Sequence, residues 1–463
     1  MNEELLRKID EMIESCEQAL VDTTICLVNI NSEKSDPLPG APFGTGPRKV
    51  LDTVLEMGKA EDFCTTDYGV GVVSLSMEPG QPDLGIWAHG DVVPAGEGWS
   101  FEPFNATVYK DCIIGRGVTD NKGQLAAVFH LLKIFKELGI ELNYNPALYV
   151  GSNEEMGMYD MRGIPGNPDA KGFCNVCTPP RLSLVPDSSF PVGYGARGMT
   201  SFFVRSKMPL KDCTLTAGLN DRPGNADAVF ADKKLPATIP GCTVDNNTVT
   251  VFSAPAHTSH PDPNGNMIAI LAKVLVENNL VCDEDKAILQ FYREIAMDIH
   301  GSMFGLDVKS TEMPTTIVYA KTITSHDGYP TLELRVRYPI ELTFEQILEN
   351  MQKVSARRGF EVFGEPGHPA YIYPKDTPVV RTLARIANEI VGVEKKPYVN
   401  GSTYAHYLPN GYIFGMDGNL PPESFPKDRG GAHGIDEAVS IARLKRAMRI
   451  YARALLALNE IEW

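Results

Sequence analysis

Basic residues are scarce in this sequence: 43 lysines and arginines stand against 59 aspartates and glutamates, for a formal net charge of −16. Proteins that bind nucleic acid or an anionic membrane surface need lysine and arginine to contact phosphates. We therefore predict neither a nucleic-acid partner nor a membrane partner. Hydrophobic residues make up 43% and charged residues 22% of the chain, which is ordinary for a globular protein and argues against disorder.

Long apolar runs are also missing. The chain contains no stretch of about 18 consecutive apolar residues, the length that a membrane-spanning helix requires. Its first twenty residues are acidic and amphipathic and lack the apolar core of a secretory signal. We therefore expect a cytoplasmic protein.

Cysteines are few, and their number is odd. Nine of them are scattered over 463 residues, which fits reduced thiols in a cytosol better than a disulfide framework. Cys174 and Cys177 form one CxxC motif, but a zinc ribbon would need a second pair at suitable spacing, and none is present. A structural or redox role for this pair is left as an alternative.

What the N-terminal part does contain is an alternation of strand-like and helix-like segments. Short apolar runs that end in polar residues occupy 84–91, 147–155 and 181–187. Between the first two, apolar residues recur at helical spacing over 123–139, and Gly139 is a suitable helix stop. This alternation predicts an α/β domain with a mostly parallel sheet, whose ligands lie beyond the carboxyl ends of the strands.

The middle of the chain follows a different pattern. Segment 248–257 is strand-like, 266–279 is an amphipathic helix, and 331–339 alternates as a half-exposed strand does. A further helix over 343–359 begins with Thr343 and has Gln346 three residues later, the pattern of a capping box. This order predicts an α+β lid domain.

After Pro374, the segments 377–392 and 411–416 resemble a return to the first domain. We therefore predict a discontinuous α/β catalytic domain formed by residues 1–195 and 376–463. An α+β lid domain of residues 196–375 interrupts it.

Five candidate metal ligands lie at predicted strand ends or in glycine-rich loops: His89, Asp120, Glu155, Asp187 and His433. Imidazole nitrogens and carboxylate oxygens are the ligands that zinc takes in catalytic sites. Five ligands with one bridging carboxylate suit a pair of divalent ions. Glu154, next to Glu155, is the candidate general base. Each residue alone is weak evidence, because an acidic strand end is usually solvated and a lone histidine is more often structural.

Local motifs strengthen this interpretation. The segments concerned are WAHGDVVPAGEGW (87–99), GRGVTDNKGQ (115–124), SNEEMG (152–157), VPDSSFPVGYGARG (185–198) and GGAHGIDE (430–437). They resemble, in order, the signatures of the aminoacylase/carboxypeptidase/dipeptidase family of co-catalytic zinc peptidases. Three further segments are similar to its dipeptidase V branch, of Xaa-His dipeptidase or carnosinase type: PFGTG (42–46), RYP (337–339) and GSTYAH (401–406).

The resemblance implies a cofactor of two Zn²⁺ per chain, with Mn²⁺ or Co²⁺ as substitutes. His89 and Asp187 would bind one ion, Glu155 and His433 would bind the other, and Asp120 would bridge them. Asp91 would orient the His89 imidazole, although it could instead cap the following turn. Glu154 would move a proton from the attacking water to the leaving amine.

The resemblance also implies substrate contacts. His257 would contact the oxyanion of the intermediate, although His260 is a second candidate. Arg337 would bind the free carboxylate of the substrate. Periodicity alone cannot choose between Arg337 and Arg335, because the two share a strand face, and only the RYP match favours Arg337. The loop of Gly401, Ser402 and Thr403 would help bind the same end of the substrate.

Three positions depart from the family pattern. Asn121 stands where a second aspartate is common, after a bond that is usually cis in the family. Ala228 stands where a lid asparagine would contact the intermediate, and His406 replaces a common arginine. The ligand set is intact, so we expect zinc-dependent hydrolysis of dipeptides with a free C-terminal carboxylate. An N-acyl amino acid deacylase of deacetylase or desuccinylase type is the alternative. We expect a small peptide substrate and a monomer, with a dimer as the alternative.

Overall fold

The computed structural model describes residues 2–218, 224–231, 233–253, 261–399, 401–416 and 429–463. Contacts divide the chain into two compact units. Met1–Gly195 and Ile372–Trp463 form the first, and Ala196–Tyr371 form the second. We keep the boundaries expected from the sequence, 195/196 and 375/376, as a proposal alongside this division.

The N-terminal segment of the first unit alternates helices and strands. Its helices are α1 (Glu3–Ser15), α2 (Glu17–Val28), α3 (Thr45–Ala60), α4 (Gly123–Glu137), α5 (Tyr159–Arg162) and α6 (Phe173–Val176). Its strands are β1 (Cys64–Asp67), β2 (Val72–Ser76), β3 (Leu84–His89), β4 (Thr107–Tyr109), β5 (Cys112–Ile114), β6 (Pro146–Gly151), β7 (Leu182–Val185) and β8 (Gly193–Ala196).

The second unit follows, and then the chain returns to the first. The second unit contains β9 (Gly198–Ser206), β10 (Cys213–Ala217), β11 (Asn225–Phe230), β12 (Thr243–Asp245), β13 (Thr248–Phe252), α7 (Met267–Glu277), α8 (Asp283–Met297), β14 (Ile317–His326), β15 (Tyr329–Tyr338), α9 (Phe344–Ala356) and β16 (Phe360–Gly364). The C-terminal segment contains β17 (Tyr371–Ile372), α10 (Pro378–Val391), β18 (Tyr398–Val399), β19 (Gly411–Ile413), β20 (Ala438–Ser440) and α11 (Ile441–Leu458).

The large sheet of the first unit has the order β1-β2-β6-β3-β7-β19-β8-β17. Its central strands β6, β3, β7 and β19 are parallel to one another, whereas β1 and β2 are antiparallel at one edge. Every residue of β3, β6 and β7 is buried, as in a parallel sheet with both faces covered. The prediction of an α/β unit with a mostly parallel sheet is confirmed.

The second unit has an antiparallel sheet of order β12-β13-β11-β10-β14-β15-β9-β16. Helices α7, α8 and α9 pack against one face of it. On β15, buried and half-exposed residues alternate along the whole strand, so the side chains on the other face of this strand are partly exposed. The predicted α+β character is confirmed, and so is the capping box of Thr343 and Gln346 at the start of α9.

Among the residues that the structure describes, no helix has the length and apolar character needed to cross a bilayer. None of the nine cysteines, all of which lie within the described residues, forms a disulfide bond. Cys174 Sγ donates to the carbonyl of Tyr407, and burial raises the pKa of this thiol to about 11. Neither Cys174 nor Cys177 belongs to a group of potential metal ligands in the described chain.

Candidate metal centre

Three neighbouring parallel strands deliver their polar termini to one edge of the large sheet. His89 is the last residue of β3, Glu154 and Glu155 follow β6, and Asp187 follows β7. Because β3 lies between β6 and β7 with all three parallel, these ends meet. Asp120 comes from the turn that precedes α4. The sequence-based expectation that the strand ends converge is confirmed.

Five of the predicted ligands form two groups that share Asp120. His89 Nε2 lies 2.9 Å from Asp120 Oδ1 and 3.8 Å from Asp187 Oδ2. His433 Nε2 lies 3.1 Å from Asp120 Oδ2 and 2.8 Å from Glu155 Oε1. In each group the candidate ligand atoms lie within 4.8 Å of one another. Each oxygen of Asp120 therefore faces a different histidine, as a bridging carboxylate requires.

Asp91 connects the two ligand-bearing strands β3 and β6. Its Oδ1 and Oδ2 accept hydrogen bonds from the backbone amides of Glu154 and Glu155, at 3.0 and 3.1 Å. Its Oδ1 also lies 3.5 Å from Nδ1 of His89, and its carbonyl oxygen lies 3.0 Å from the same nitrogen. One buried carboxylate thus holds the 154–155 backbone and the imidazole ring.

The turn that carries Asp120 is held by a residue that the sequence analysis did not single out. Glu437 accepts hydrogen bonds from the backbone amides of Gly117, Thr119 and Asp120. Its Oε2 also lies 2.5 Å from Nη1 of Arg116, and both side chains are almost completely buried. Glu437 closes the GGAHGIDE segment, so its place in that motif was the available signal.

A second unanticipated pair, Asp160 and Tyr404, supports the start of the 152–155 loop. Asp160 Oδ2 accepts from the backbone amides of Ser152 and Asn153 and from the Tyr404 hydroxyl, at 2.8, 3.0 and 2.5 Å. Burial raises the pKa of Asp160 to about 7. The ring of Tyr404 also stands perpendicular to that of His89, with centroids 6.5 Å apart.

The charges in this centre are strongly coupled. Burial and the Asp120 charge raise the pKa of Asp187 well above its ordinary value, and they raise that of Glu155 to about 7. Hydrogen bonds with Asp120 and Glu155 raise the pKa of His433 to about 11. The crowding of carboxylates therefore has an electrostatic cost that a cation would relieve.

Glu154 differs from its neighbour Glu155 in its contacts. Its side chain is buried, and Oε1 has no hydrogen-bond partner within the described chain. Burial, followed by the charge of Asp187, raises the pKa of Glu154 well above its ordinary value. It belongs to neither group of potential metal ligands, so its carboxyl is available for proton transfer.

The residues present fit a pair of divalent cations. Three carboxylates and two imidazoles converge, one carboxylate is shared, and each histidine faces a different group. A third group, Asp212, Cys282 and Asp285, lies in the second unit. Both oxygens of Asp285 there accept backbone amides, those of Lys211 and Asp212, so this carboxylate has a structural role.

The remaining predicted residues lie in several places. Gly401 has a φ of +93°, a conformation that favours glycine. Ser402 Oγ is buried without a hydrogen-bond partner in the described chain, and Thr403 Oγ1 accepts from the amide of Ala405. These three residues directly precede Tyr404, whose ring centroid lies 6.5 Å from that of His89. His257 falls outside the described residues.

Arg337 lies on β15 in the second unit, and the three departures from the family pattern are also placed. The Asp120–Asn121 peptide bond is cis. Ala228 is fully buried on β11, within the hydrophobic core of the second unit. His406 is buried in the short helical turn Tyr404–Tyr407.

Comparison with known proteins agrees with this arrangement. Residues 85–457 match the family described as Peptidase family M20/M25/M40. A protein of Staphylococcus aureus (strain USA300) that carries the name "Putative dipeptidase" is 26% identical over 478 residues, covering 97% of this chain and 98% of that protein.

Solved structures show the same fold. Human carnosine dipeptidase 1 superposes with a TM-score of 0.58 at 16% identity, with 99% of each chain covered. The dipeptidase Dug1p from Saccharomyces cerevisiae superposes with a TM-score of 0.59 at 15% identity, again with 99% of each chain covered. At these identities the likeness concerns the fold alone. The family match, by contrast, spans most of the sequence and includes the paired ligand groups, so the chain belongs to peptidase family M20/M25/M40 and is a metallopeptidase.

Proposed function

We propose that this metallopeptidase hydrolyses the amide bond of dipeptides that carry a free C-terminal carboxylate. The observation that carries the proposal is the pair of ligand groups that share Asp120, with the unpartnered carboxyl oxygen of Glu154 beside them. Relatives named as dipeptidases support the choice of substrate class.

His89 and Asp187 would hold one divalent ion and Glu155 and His433 the other, with Asp120 shared between them. The donor set suits Zn²⁺, with Mn²⁺ or Co²⁺ as substitutes. When bound, two such ions polarise a carbonyl and acidify the attacking water. Asp91 keeps the donors aligned, because it fixes the His89 ring and the backbone that carries Glu154 and Glu155.

Glu154 would act as the general base. Its Oε1 takes a proton from the attacking water and returns it to the leaving amine. Burial supports this role because it raises the pKa of the carboxyl, which then holds a proton near neutral pH more readily than an exposed glutamate does.

Further residues would recognise the substrate. Arg337 binds the free carboxylate, since a guanidinium can donate two parallel hydrogen bonds to it, and its Nε has no hydrogen-bond partner in the described chain. The loop of Gly401, Ser402 and Thr403 contributes to the same end, and His257 stabilises the oxyanion. We also propose that the enzyme is a cytoplasmic monomer.

A side-by-side assay tests this function. Dipeptides, their C-terminal amides, N-acetyl and N-succinyl amino acids, and longer peptides are compared at equal concentration. We expect dipeptides to be hydrolysed fastest and their amides poorly, and we expect chelation to abolish turnover until Zn²⁺, Mn²⁺ or Co²⁺ is restored. Faster cleavage of N-acyl amino acids would reassign the enzyme as a deacylase. Full turnover by a verified metal-free sample would contradict the mechanism.

A further inference from the structure

Three arginines lie together at one end of the partly exposed face of the second sheet. Arg335 and Arg337 occupy alternate, half-exposed positions of β15, so they project to the same face. Arg197 is the residue immediately before β9. In a chain of net charge −16, such a concentration of positive charge needs an explanation.

The strand register places the Arg197 side chain beside Arg337. Strand β15 lies between β14 and β9, and Arg337 is opposite Ile317 on one neighbour and Met199 on the other. Arg197 precedes Met199 by two residues, and its Nη1 donates to the carbonyl oxygen of Thr315 at 2.9 Å. Thr315 likewise precedes Ile317 by two residues. The Arg197 side chain therefore spans β15 just beyond Arg337.

Within the described part of the chain, no acidic side chain forms an ion pair with either of these two guanidinium groups. Among the described residues, neither Arg197 nor Arg337 forms a salt bridge with a carboxylate, and Arg337 Nε is buried without a hydrogen-bond partner. Glu333, on the same face of β15, is engaged instead by Lys321 Nζ at 3.2 Å and by the Thr322 hydroxyl at 2.9 Å.

Burial, with the nearby charges of Arg197 and Arg335, lowers the pKa of Arg337 to about 10. Burial also lowers the pKa of Arg197. Two cations held side by side and partly desolvated repel each other, and a bound anion would relieve that repulsion. The arrangement is thus suited to a ligand with more than one negative charge.

We propose that Arg197 and Arg337 each bind one carboxylate of an acidic amino acid, so that the preferred substrates release aspartate or glutamate from their C-terminal side. The identity of the reacting bond rests on the proposed function. One guanidinium fork satisfies the two oxygens of one carboxylate. A second guanidinium that keeps free N–H groups beyond its bond to Thr315 therefore has a second carboxylate to bind. The side-chain carboxylate of the substrate supplies it.

Matched dipeptides test the kinetic consequence. Ala-Glu and Ala-Gln have nearly the same shape, but the side chain of Ala-Glu ends in a negative charge and that of Ala-Gln does not. We expect kcat/KM of the metal-loaded enzyme to be about tenfold or more higher for Ala-Glu, because Ala-Gln leaves one guanidinium unpaired. Arg197→Met should reduce this ratio to near one by lowering kcat/KM for Ala-Glu while changing that for Ala-Gln little. Arg197→Lys, which keeps the charge, should retain part of the preference.

Arg205→Met is the control. Arg205 lies on the same face of β9, but it already pairs with Glu361 at 3.9 Å and stacks over the ring of Tyr329. This variant should keep the preference of the wild type. Equal kcat/KM for the two dipeptides in the wild type, or a preference that survives in Arg197→Met, would overturn the proposal.

A binding measurement separates this inference from the proposed function. Thermal shift titrations of the metal-loaded enzyme with free glutamate and free glutamine need no turnover. Tighter binding of glutamate that is lost in Arg197→Met supports the anion site even if no dipeptide is cleaved, an outcome that would refute only the proposed function. Equal binding of glutamate and glutamine by the wild type overturns the site, whatever bond the enzyme cleaves.

Discussion

Glu154 and Glu155 differ in their contacts. Glu155 contacts His433, whereas one carboxyl oxygen of Glu154 has no hydrogen-bond partner in the described chain. We predict that Glu154→Gln keeps its metal but loses kcat by about 10²–10⁴-fold, the usual contribution of a general base. Glu155→Gln is the matched variant and should lose metal as well. Metal content by plasma mass spectrometry, measured beside kcat, distinguishes the two. Metal loss in Glu154→Gln would mean that the two roles are exchanged.

Asp91 acts through its neighbours, because its two oxygens are used by the amides of Glu154 and Glu155. In Asp91→Asn one acceptor becomes a donor, which leaves one of these amides unpaired. The side chain also loses its charge beside the His89 ring, although the Asp91 carbonyl oxygen still lies 3.0 Å from His89 Nδ1. Residues that orient metal ligands typically contribute about 10–100-fold to metal affinity or activity. We expect a loss of that size in zinc affinity, measured by competition with a chelator. If zinc affinity and kcat are unchanged, Asp91 does no more than cap the following turn.

At the scale of secondary structure elements, Glu437 ties the segment before β20 to the turn before α4. Breaking a buried ion pair by removing one partner costs about 3–5 kcal/mol, because the other charge remains uncompensated. Glu437→Gln should therefore destabilise the first unit by about this amount and weaken metal binding through Asp120. Denaturant unfolding measures the first effect and chelator competition the second.

The double variant Arg116→Met/Glu437→Gln serves as the control for this prediction. The double variant removes the charge of Arg116 that Glu437→Gln leaves buried without a partner. It should therefore be more stable than Glu437→Gln alone. Metal affinity should stay low, because the backbone amides of Gly117, Thr119 and Asp120 still lack their carboxylate acceptor. If the double variant is no more stable than Glu437→Gln, the buried charge of Arg116 is not the cause.

The sequence was most informative where a pattern is local. The apolar run before His89 and the helical spacing over 123–139 match β3 and α4 to within about two residues. Short motifs likewise predicted the five residues that the structure brings together in the two groups of potential metal ligands. Asp160 could not be recognised in this way, because it has no distinctive neighbours. Its importance comes from Tyr404, which lies 244 positions away in sequence.

Arg197 shows a related limit of sequence reasoning. Alternation along one strand identifies residues that share a face, as it did for Arg335 and Arg337. Arg197 lies beside them because its side chain reaches across β15, a strand that follows Arg197 by more than a hundred residues in the chain. Only the register of β9, β14 and β15 shows this, and register depends on pairing across the whole sheet.

For the molecule as a whole, the burial of His130 leads us to predict that the folded protein loses stability in acid. It is buried on α4 with Nε2 2.9 Å from the Thr23 hydroxyl, and burial lowers its pKa to about 4. The unfolded chain binds a proton near the ordinary histidine pKa of about 6.5, so stability falls as pH drops from there toward 4. The loss attributable to His130 should reach about 2 kcal/mol at pH 5.

Melting temperatures at pH 7.5 and 5 in wild type and His130→Gln check this prediction. The amide of glutamine can keep the bond to Thr23 but does not titrate, so the variant should lose less stability between the two pH values. His326→Gln, at the exposed last residue of β14, is the control and should behave as the wild type does. If the melting temperature of His130→Gln falls between the two pH values as much as that of the wild type, the acid sensitivity belongs to other groups.

The order of the ligands along the chain has a consequence for synthesis. A ribosome makes His89, Asp120, Glu155 and Asp187 early, but His433 emerges only after the whole second unit has been completed. Strand β19, which fills the place between β7 and β8, is equally late. A nascent or prematurely terminated chain therefore holds at most one complete ligand group, and the gap in its sheet stays open. Under the proposed assignment of the metal ligands, such a chain lacks one of the two metal sites, and with it the proposed hydrolytic centre, until His433 is in place.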